Sequence, residues 1–297
     1  MKKLLATILL ALFTAAAVPT LLADSIEEIR KSAGQGDKDS QYNLGLRYQT
    51  GKGVERDIDQ AVDWYRKAAR QGHTRAQTNL GNLYRSGRGI DRDYGEAMRW
   101  YRQAAELGDT KAMINIAMMY AQGQGVDKDE QKGLKWLYDA AGAGDVQAMV
   151  HLGTMYKMGQ SVEQNHATSV EWFQLAAAKG DAVAQHNLGL AYFSGKGVTK
   201  NPTESVKWHR KSAQQGYPPA EYSMGLRYAR GDGIGQDYGE AAKWYRKAAK
   251  HGHLSAQNNL GLMYRKGQGV SQDYQEAMKW FRKAAERGHT LGQYNLG

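Results

Sequence analysis

The 297-residue chain has no cysteine and only 4 prolines and 4 phenylalanines. Without cysteine there is no disulfide scaffold, no cysteine-ligated zinc or iron–sulfur site and no thiol nucleophile. Hydrophobic residues at 41% and charged residues at 24% exclude both a polytopic membrane protein and a chain disordered by composition. Acidic charge is also in deficit, with 30 Asp+Glu against 40 Lys+Arg, for a formal charge of +10. That excess permits attraction to nucleic acid, anionic lipid or an acidic partner, but it does not define a fold.

One apolar run stands out. Lys2 and Lys3 precede an apolar stretch from Leu4 to Val18, and Ala23 stands before the first acidic residue, Asp24. The layout is that of a secretory signal peptide over residues 1–23, too short for an ordinary membrane span. Its removal takes the formal charge from +10 to +8. Export to the periplasm of a Gram-negative bacterium is expected, with secretion as the alternative.

Length alone predicts about two domains. The tryptophans replace that expectation with a period: Trp64, Trp100, Trp136, Trp172, Trp208, Trp244 and Trp280 lie 36 residues apart. Tyr48, Tyr84, Tyr120, Tyr156, Tyr192, Tyr228 and Tyr264 keep the same step, as do Gly45, Gly81, Ala117, Gly153, Gly189, Gly225 and Gly261. A fixed period without insertions marks a tandem array.

Each period reads as two helices. In residues 73–108, Ala76, Leu80, Leu83 and Tyr84 form an apolar stripe on a first helix. Gly81 beside it costs about 1 kcal/mol in a helix, so its recurrence predicts the close approach of a neighbouring helix. Gly87 and Gly89 predict a tight connection, and Ile90 a return to the core. Asp93 and Glu96 have capping-box spacing, repeated at Asp237/Glu240 and Asp273/Glu276, while Asn201-Pro202 starts another second helix. Ala97, Trp100, Tyr101, Ala104 and Ala105 then share one arc, opposite Arg99, Arg102 and Gln103. Gly108 stops the helix. A helix pair of this kind buries its apolar face only by stacking on its neighbours.

The string Leu80-Gly81-x-x-Tyr84-x-x-Gly87-x-Gly89-Ile90-x-x-Asp93-x-x-x-Ala97-x-x-Trp100-Tyr101-x-x-Ala104-Ala105-x-x-Gly108 resembles the Sel1-like repeat, across essentially all of residues 25–297. The resemblance implies an all-α fold: an α/α solenoid superhelix of seven 36-residue helix-pair repeats with flanking partial repeats. First helices would line a concave surface and second helices a convex one. It also implies adaptor proteins that assemble complexes and share no catalytic residues. The expected layout is a single solenoid over 24–297: a capping helix at 24–36, repeats at 37–72, 73–108, 109–144, 145–180, 181–216, 217–252 and 253–288, and the start of an eighth unit at 289–297. Repeat four carries Gln160-Ser161 in place of the second loop glycine, so a distorted connection is expected there. Gly133, Ser169 and Ser205 replace the usual alanine.

Motifs for chemistry are absent from the sequence: no serine has a lysine three residues later, and there is no G-x-S-x-G, H-E-x-x-H or Walker loop. His73, His253 and His289 share a position suited to capping the next helix, and no third ligand accompanies His251 and His253. No cofactor, metal or catalytic residue is therefore expected. The reading is a non-enzyme; its rival is a cell-envelope enzyme or binder acting on β-lactams or peptidoglycan.

Lys207, Arg210 and Lys211, Lys243, Arg246 and Lys247, and Lys279, Arg282 and Lys283 fall on the polar side of second helices. They predict a solvated convex ridge open to weak contact with anionic envelope polymers or lipid. Specific nucleic-acid binding is not expected, because the aromatics lie on the buried arc instead of a positive groove. On the first helices, apolar residues occupy positions where a solvated face would be polar. Tyr42, Leu46, Ile114, Met118, His186, Leu190, Phe193, Tyr222 and Leu226 are the expected binding residues for a protein or peptide along the concave face. Tight curvature would instead bury them between neighbouring first helices.

Overall fold

The computed structural model describes residues 25–296, so the signal peptide expected at residues 1–23 lies outside the described residues. Sixteen α-helices and no strand occur among them. Helix α1 is Ile26–Gly34. First helices of the repeats are α2 Lys38–Thr50, α4 Thr74–Ser86, α6 Thr110–Gln122, α8 Val146–Met158, α10 Ala182–Ser194, α12 Pro218–Arg230 and α14 Leu254–Lys266. Second helices are α3 Ile58–Arg70, α5 Tyr94–Glu106, α7 Glu130–Gly142, α9 His166–Ala178, α11 Pro202–Gln214, α13 Tyr238–Lys250 and α15 Tyr274–Glu286, and α16 is Thr290–Leu296. The residues fall into two compact units, one ending at Ala104 and the other beginning at Ala105. Within the first unit α1 to α4 pack successively, and within the second α6 to α16 do.

Local chemistry sets each boundary. Asp57, Asp129, Asp237 and Asp273 cap second helices by accepting the backbone N–H three residues on, and Asn165 and Asn201 do the same. The glutamate at the third helical position turns to the next turn of its helix: Glu96 accepts from Arg99 and from Trp100 Nε1, and Glu204, Glu240 and Glu276 pair with Lys207, Lys243 and Lys279. A glycine with positive φ ends each first helix, for example Gly87 at +66°. The backbone carbonyl of the recurring tyrosine then accepts the N–H of the next helix cap, as from Asp93 to Tyr84 at 3.0 Å and from Asn201 to Tyr192 at 2.7 Å. Repeat four keeps this connection despite lacking the glycine: Asn165 still donates to Tyr156 at 2.9 Å, and Ser161 takes the left-handed conformation at φ 59°. The expected distortion is not found.

The contact that joins the two helices of a repeat is a glycine against a ring. A Cβ at Gly81 would lie 2.4 Å from Tyr101, one at Gly153 2.8 Å from Phe173, and one at Gly225 2.4 Å from Tyr245. The rings are buried, with Tyr65 and Tyr101 fully enclosed. Repeat three solves the same problem another way. Ala117 replaces the glycine, Leu137 replaces the ring, and Gly133 replaces the alanine, where a Cβ would meet the Ala117 carbonyl at 2.9 Å.

The tryptophans differ from this expectation of a buried arc. Trp100 is buried at 5% exposure, but Trp64, Trp136, Trp172, Trp208, Trp244 and Trp280 are half-buried. Lys67, Lys211, Lys247 and Lys283 lie over the outer faces of Trp64, Trp208, Trp244 and Trp280, with 3.8 Å from the ammonium to the Trp64 centroid. Nor is the basic ridge free charge alone: Arg66 donates to the Tyr84 hydroxyl at 2.6 Å and Arg246 to the Tyr264 hydroxyl at 2.9 Å. The recurring tyrosine thus ties its repeat to the second helix before it.

Gly225→Ala is expected to lower stability by about 1–3 kcal/mol, the usual cost of overpacking. Adding Ala241→Gly and Tyr245→Leu, which copies repeat three, should recover much of that loss. Urea denaturation of the single and triple variants measures it, and equal stabilities would refute the packing argument.

Candidate functional site

The first-helix residues expected to bind a partner divide into two sets. Tyr42 and Leu46 stand on α2 in the first unit; Ile114 and Met118 on α6, His186, Leu190 and Phe193 on α10, and Tyr222 and Leu226 on α12 belong to the second. All are half-buried except Leu46, which is 37% exposed.

Several of these residues are occupied within the fold. The Tyr42 ring stacks on His73 with centroids 4.4 Å apart and planes at 21°, and Tyr222 stacks on His253 at 4.4 Å and 19°. His73 and His253 are also the caps of α4 and α14, each accepting a backbone N–H at Nδ1. Burial pushes both imidazoles down from their ordinary value, keeping Nδ1 free to accept. His186 stands in the same column, edge-on to Tyr217 at 5.5 Å. Where the cap is Asp145 or Asp181, the residue 31 places earlier is Ile114 or Val150. An aromatic on the first helix thus goes with a ring at the following cap. Ile114 packs on the core of repeats three to five and Leu226 on that of repeats six and seven. Phe193 lies under the Arg227 guanidinium at 3.5 Å. Tyr42, His186, Phe193 and Tyr222 are therefore inter-repeat contacts, and the exposed aromatic stripe expected from the sequence is corrected accordingly.

At one recurring first-helix position the first unit carries Leu46 and Asn82, and the second unit carries Met118, Thr154, Leu190, Leu226 and Leu262; Leu46 and Thr154 are exposed and the others half-buried. Leu190 also borders a cleft of about 280 Å³ in the second unit, formed by the end of α8, the start of α9 and the middle of α10. Its wall is apolar at Val170, Phe173 and Ala191. Lys157 and Lys196 stand at its edge with no carboxylate among the lining residues. The Lys157 ammonium donates to Asn187 Oδ1 at 2.9 Å. Burial, and then the charge of Lys196, hold this lysine below its ordinary value.

Sequence reading missed why the cleft exists. The column Arg47, Leu83, Met119, Met155, Ala191, Arg227, Met263 is buried in most repeats, and Ala191 is its small member. The signal was a break in a column of long side chains. A second break adjoins it. His209 occupies the ring position filled by Tyr65, Tyr101, Phe173, Tyr245 and Phe281, is fully buried, and has no hydrogen-bond partner at either ring nitrogen. It lies 5.1 Å from the His186 ring, whose Nδ1 is also unpartnered. Burial first, then neighbouring cationic groups, brings His209 down to about 3 and His186 to about 4. Arg227, 4% exposed, balances its charge against Asp232 at 3.5 Å.

Among the described residues no three His, Asp or Glu side chains converge to hold a metal, and no helix is long and apolar enough to cross a membrane. The histidines at 73, 253 and 289 serve as caps, and His251 donates to or accepts from the buried Glu221 at 2.8 Å.

The repeat geometry has a family counterpart. A family model described as Sel1 repeat matches residues 38–73, 74–109, 110–145, 146–181, 182–217, 218–253 and 254–289. The chain belongs to the Sel1 repeat family. Its fold is similar to that of a Sel1 repeat protein from Oxalobacter formigenes, at 34% identity and a TM-score of 0.77, covering 91% of this chain and 78% of that one. It is equally similar, at 38% identity and a TM-score of 0.77, to a protective antigen of uropathogenic Escherichia coli that displays an SLR fold, covering 91% of this chain but 58% of the antigen. A local stretch of 63 residues is 36% identical to the secretory immunoglobulin A-binding protein EsiB of Escherichia coli, or 21% of this chain and 13% of that protein. The chain thus spans little more than half of the antigen and a small part of EsiB. Sel1 repeat proteins are generally protein–protein interaction scaffolds.

Because His186 and His209 bind protons in the unfolded chain at about 6.5 but resist them when folded, their contribution favours the fold fully above pH 6.5. It declines as pH falls from there toward about 4 and about 3. Melting temperature should therefore drop between pH 7 and pH 5, and His209→Phe should flatten that dependence. An identical pH profile in the variant would count against the assignment.

Proposed function

We propose that the protein is an exported, non-catalytic adaptor that holds a protein or peptide segment against its first helices. The observation that carries this reading is the apolar residue that recurs at one first-helix position without being fully buried, Leu46 in the first unit and Met118, Leu190 and Leu262 in the second. Apolar residues left accessible at a recurring helix position are a feature of interaction surfaces. The Sel1 repeat family supports a protein partner, and export rests on the sequence of residues 1–23. The relatives named as a protective antigen and as a secretory immunoglobulin A-binding protein support placement in the bacterial envelope or beyond it. The basic second helices supply at most a secondary contact with anionic envelope polymers or lipid, since many of their cations already engage tryptophan rings, tyrosine hydroxyls or glutamates.

Met118→Arg and Leu190→Arg are expected to abolish capture of a partner from envelope extract by the immobilised chain, with the melting curve unchanged. Lys207→Glu on a second helix should leave capture intact. Capture that survives both arginine substitutions, or that depends on Lys207, would reject the first-helix surface. Hydrolysis of a chromogenic β-lactam by the purified chain would reject the non-catalytic reading.

A further inference from the structure

The cleft between repeats four and five has a chemical character that narrows the partner, and the inference rests on the adaptor reading above. Ala191 opens it: where Leu83, Met119 and Met263 bury long side chains, a methyl group leaves space against Val170 and Phe173. The resulting volume of about 280 Å³ suits one apolar side chain together with a small polar group. Its polar edge is one-signed. Lys157 and Lys196 both border it, and Lys157 has exchanged part of its hydration for a single neutral acceptor, Asn187 Oδ1. Such an ammonium gains most from a carboxylate, which forms shorter and stronger bonds to it than a neutral amide oxygen does.

The adjoining interface shows the same space with the opposite solution. One repeat later the position of Lys157 is Phe193, and the position of Ala191 is Arg227. Arg227 fills the interior, lies over the Phe193 ring and meets Asp232, a carboxylate supplied by the chain itself. Between repeats four and five the loop residue equivalent to Asp232 is Lys196. The chain therefore supplies an internal anion at one interface and a second cation at the other.

We propose that this cleft captures the free C-terminal carboxylate of a partner polypeptide whose last side chain is apolar. The carboxylate pairs with Lys157 and Lys196, and the terminal side chain enters against Val170, Phe173 and Ala191. A C-terminal residue carries its anion and its side chain on the same carbon, matching a cleft of about 280 Å³ that is lined by both an apolar wall and two lysines. An internal Asp or Glu would instead direct its charge to the end of the side chain, away from the lysine edge.

The test uses labelled Gly-Ser-Gly-Ser peptides ending in Val, Leu, Ile, Met or Phe, each as free acid and as C-terminal amide, titrated into the full chain by fluorescence anisotropy. At least one free acid should bind, and its amide should bind about tenfold or more weakly, the scale of losing a hydrogen bond to a charged group. Ala191→Met should abolish binding without lowering the melting temperature, because it restores the long side chain found elsewhere in the column. Lys157→Gln should weaken the acid and leave the amide unchanged. Equal binding of acid and amide, binding that survives Ala191→Met, tighter binding of a matched peptide with an internal Glu and an amidated end, or no binding up to about 1 mM would each overturn the proposal. If the peptides fail while Met118→Arg and Leu190→Arg still abolish partner capture, the cleft assignment falls and the adaptor reading stands; if capture also ignores those substitutions, both fall.

Discussion

Everything in a repeat depends on the absence of one methyl group. With no Cβ at positions such as Gly81 and Gly225, the first helix approaches until the ring of the second helix lies against its backbone. A ring seated there excludes water from both helices and fills the interior at the density a core requires. Repeat three shows that the constraint is on the sum and not on each residue. Moving the methyl group to Ala117 demands both a smaller partner, Leu137, and a glycine at 133 to admit the Ala117 carbonyl. Ser169 and Ser205 refine the same contact, each hydroxyl donating to the glycine carbonyl, at 2.7 Å to Gly153 and 2.6 Å to Gly189.

The contacts between repeats use a different chemistry. A buried glutamine on the first helix donates to a carbonyl near the end of the preceding second helix, as Gln41 does to Ala33 and Gln77 to Ala69, both at 3.1 Å. An arginine reaches the next tyrosine hydroxyl, and an aromatic stacks on the following histidine cap. These bonds satisfy the polar ends of helices that would otherwise be costly to bury. A glutamine that bonds to a fixed carbonyl also holds successive helices in register, which apolar packing alone does not.

The capping boxes expected at Asp93/Glu96, Asp237/Glu240 and Asp273/Glu276 are not formed, since each glutamate turns to the basic residue three places on. The helix pairs, the Asp and Asn caps and the glycine contact were legible in the sequence, because each rests on a spacing repeated in nearly every unit. The site was less legible for the opposite reason. Tyr42 and Tyr222 read as exposed anchors when only their own helix is considered, since the ring that covers each belongs to a cap 31 residues later. The tryptophans read as core because helical geometry places them on the apolar arc, but the half-turn at its margin leaves one face open to a lysine. Ala191 attracted no notice because alanine is ordinary on a helix. Its meaning comes from the long side chains at the same position in other repeats.

A repeat protein has a built-in control for such readings, since neighbouring units show what the architecture requires and departures show what it does not. His209 departs at a cost: a buried ring whose two nitrogens lack partners is less favourable than the Phe173 or Phe281 found at the same place. Arg227 departs as well: Arg47 holds the same position without being buried, but Arg227 is enclosed with its Nε unpartnered. Ala191, the small member of its column, adds a third departure within repeats five and six. Packing favours a ring without polar atoms at 209 and a long side chain at 191, as in other repeats, so packing alone does not account for these departures. The breaks border the cleft or its neighbouring interface, and they exchange regular core for polarity and open volume. That exchange is the pattern expected where a scaffold yields stability for recognition.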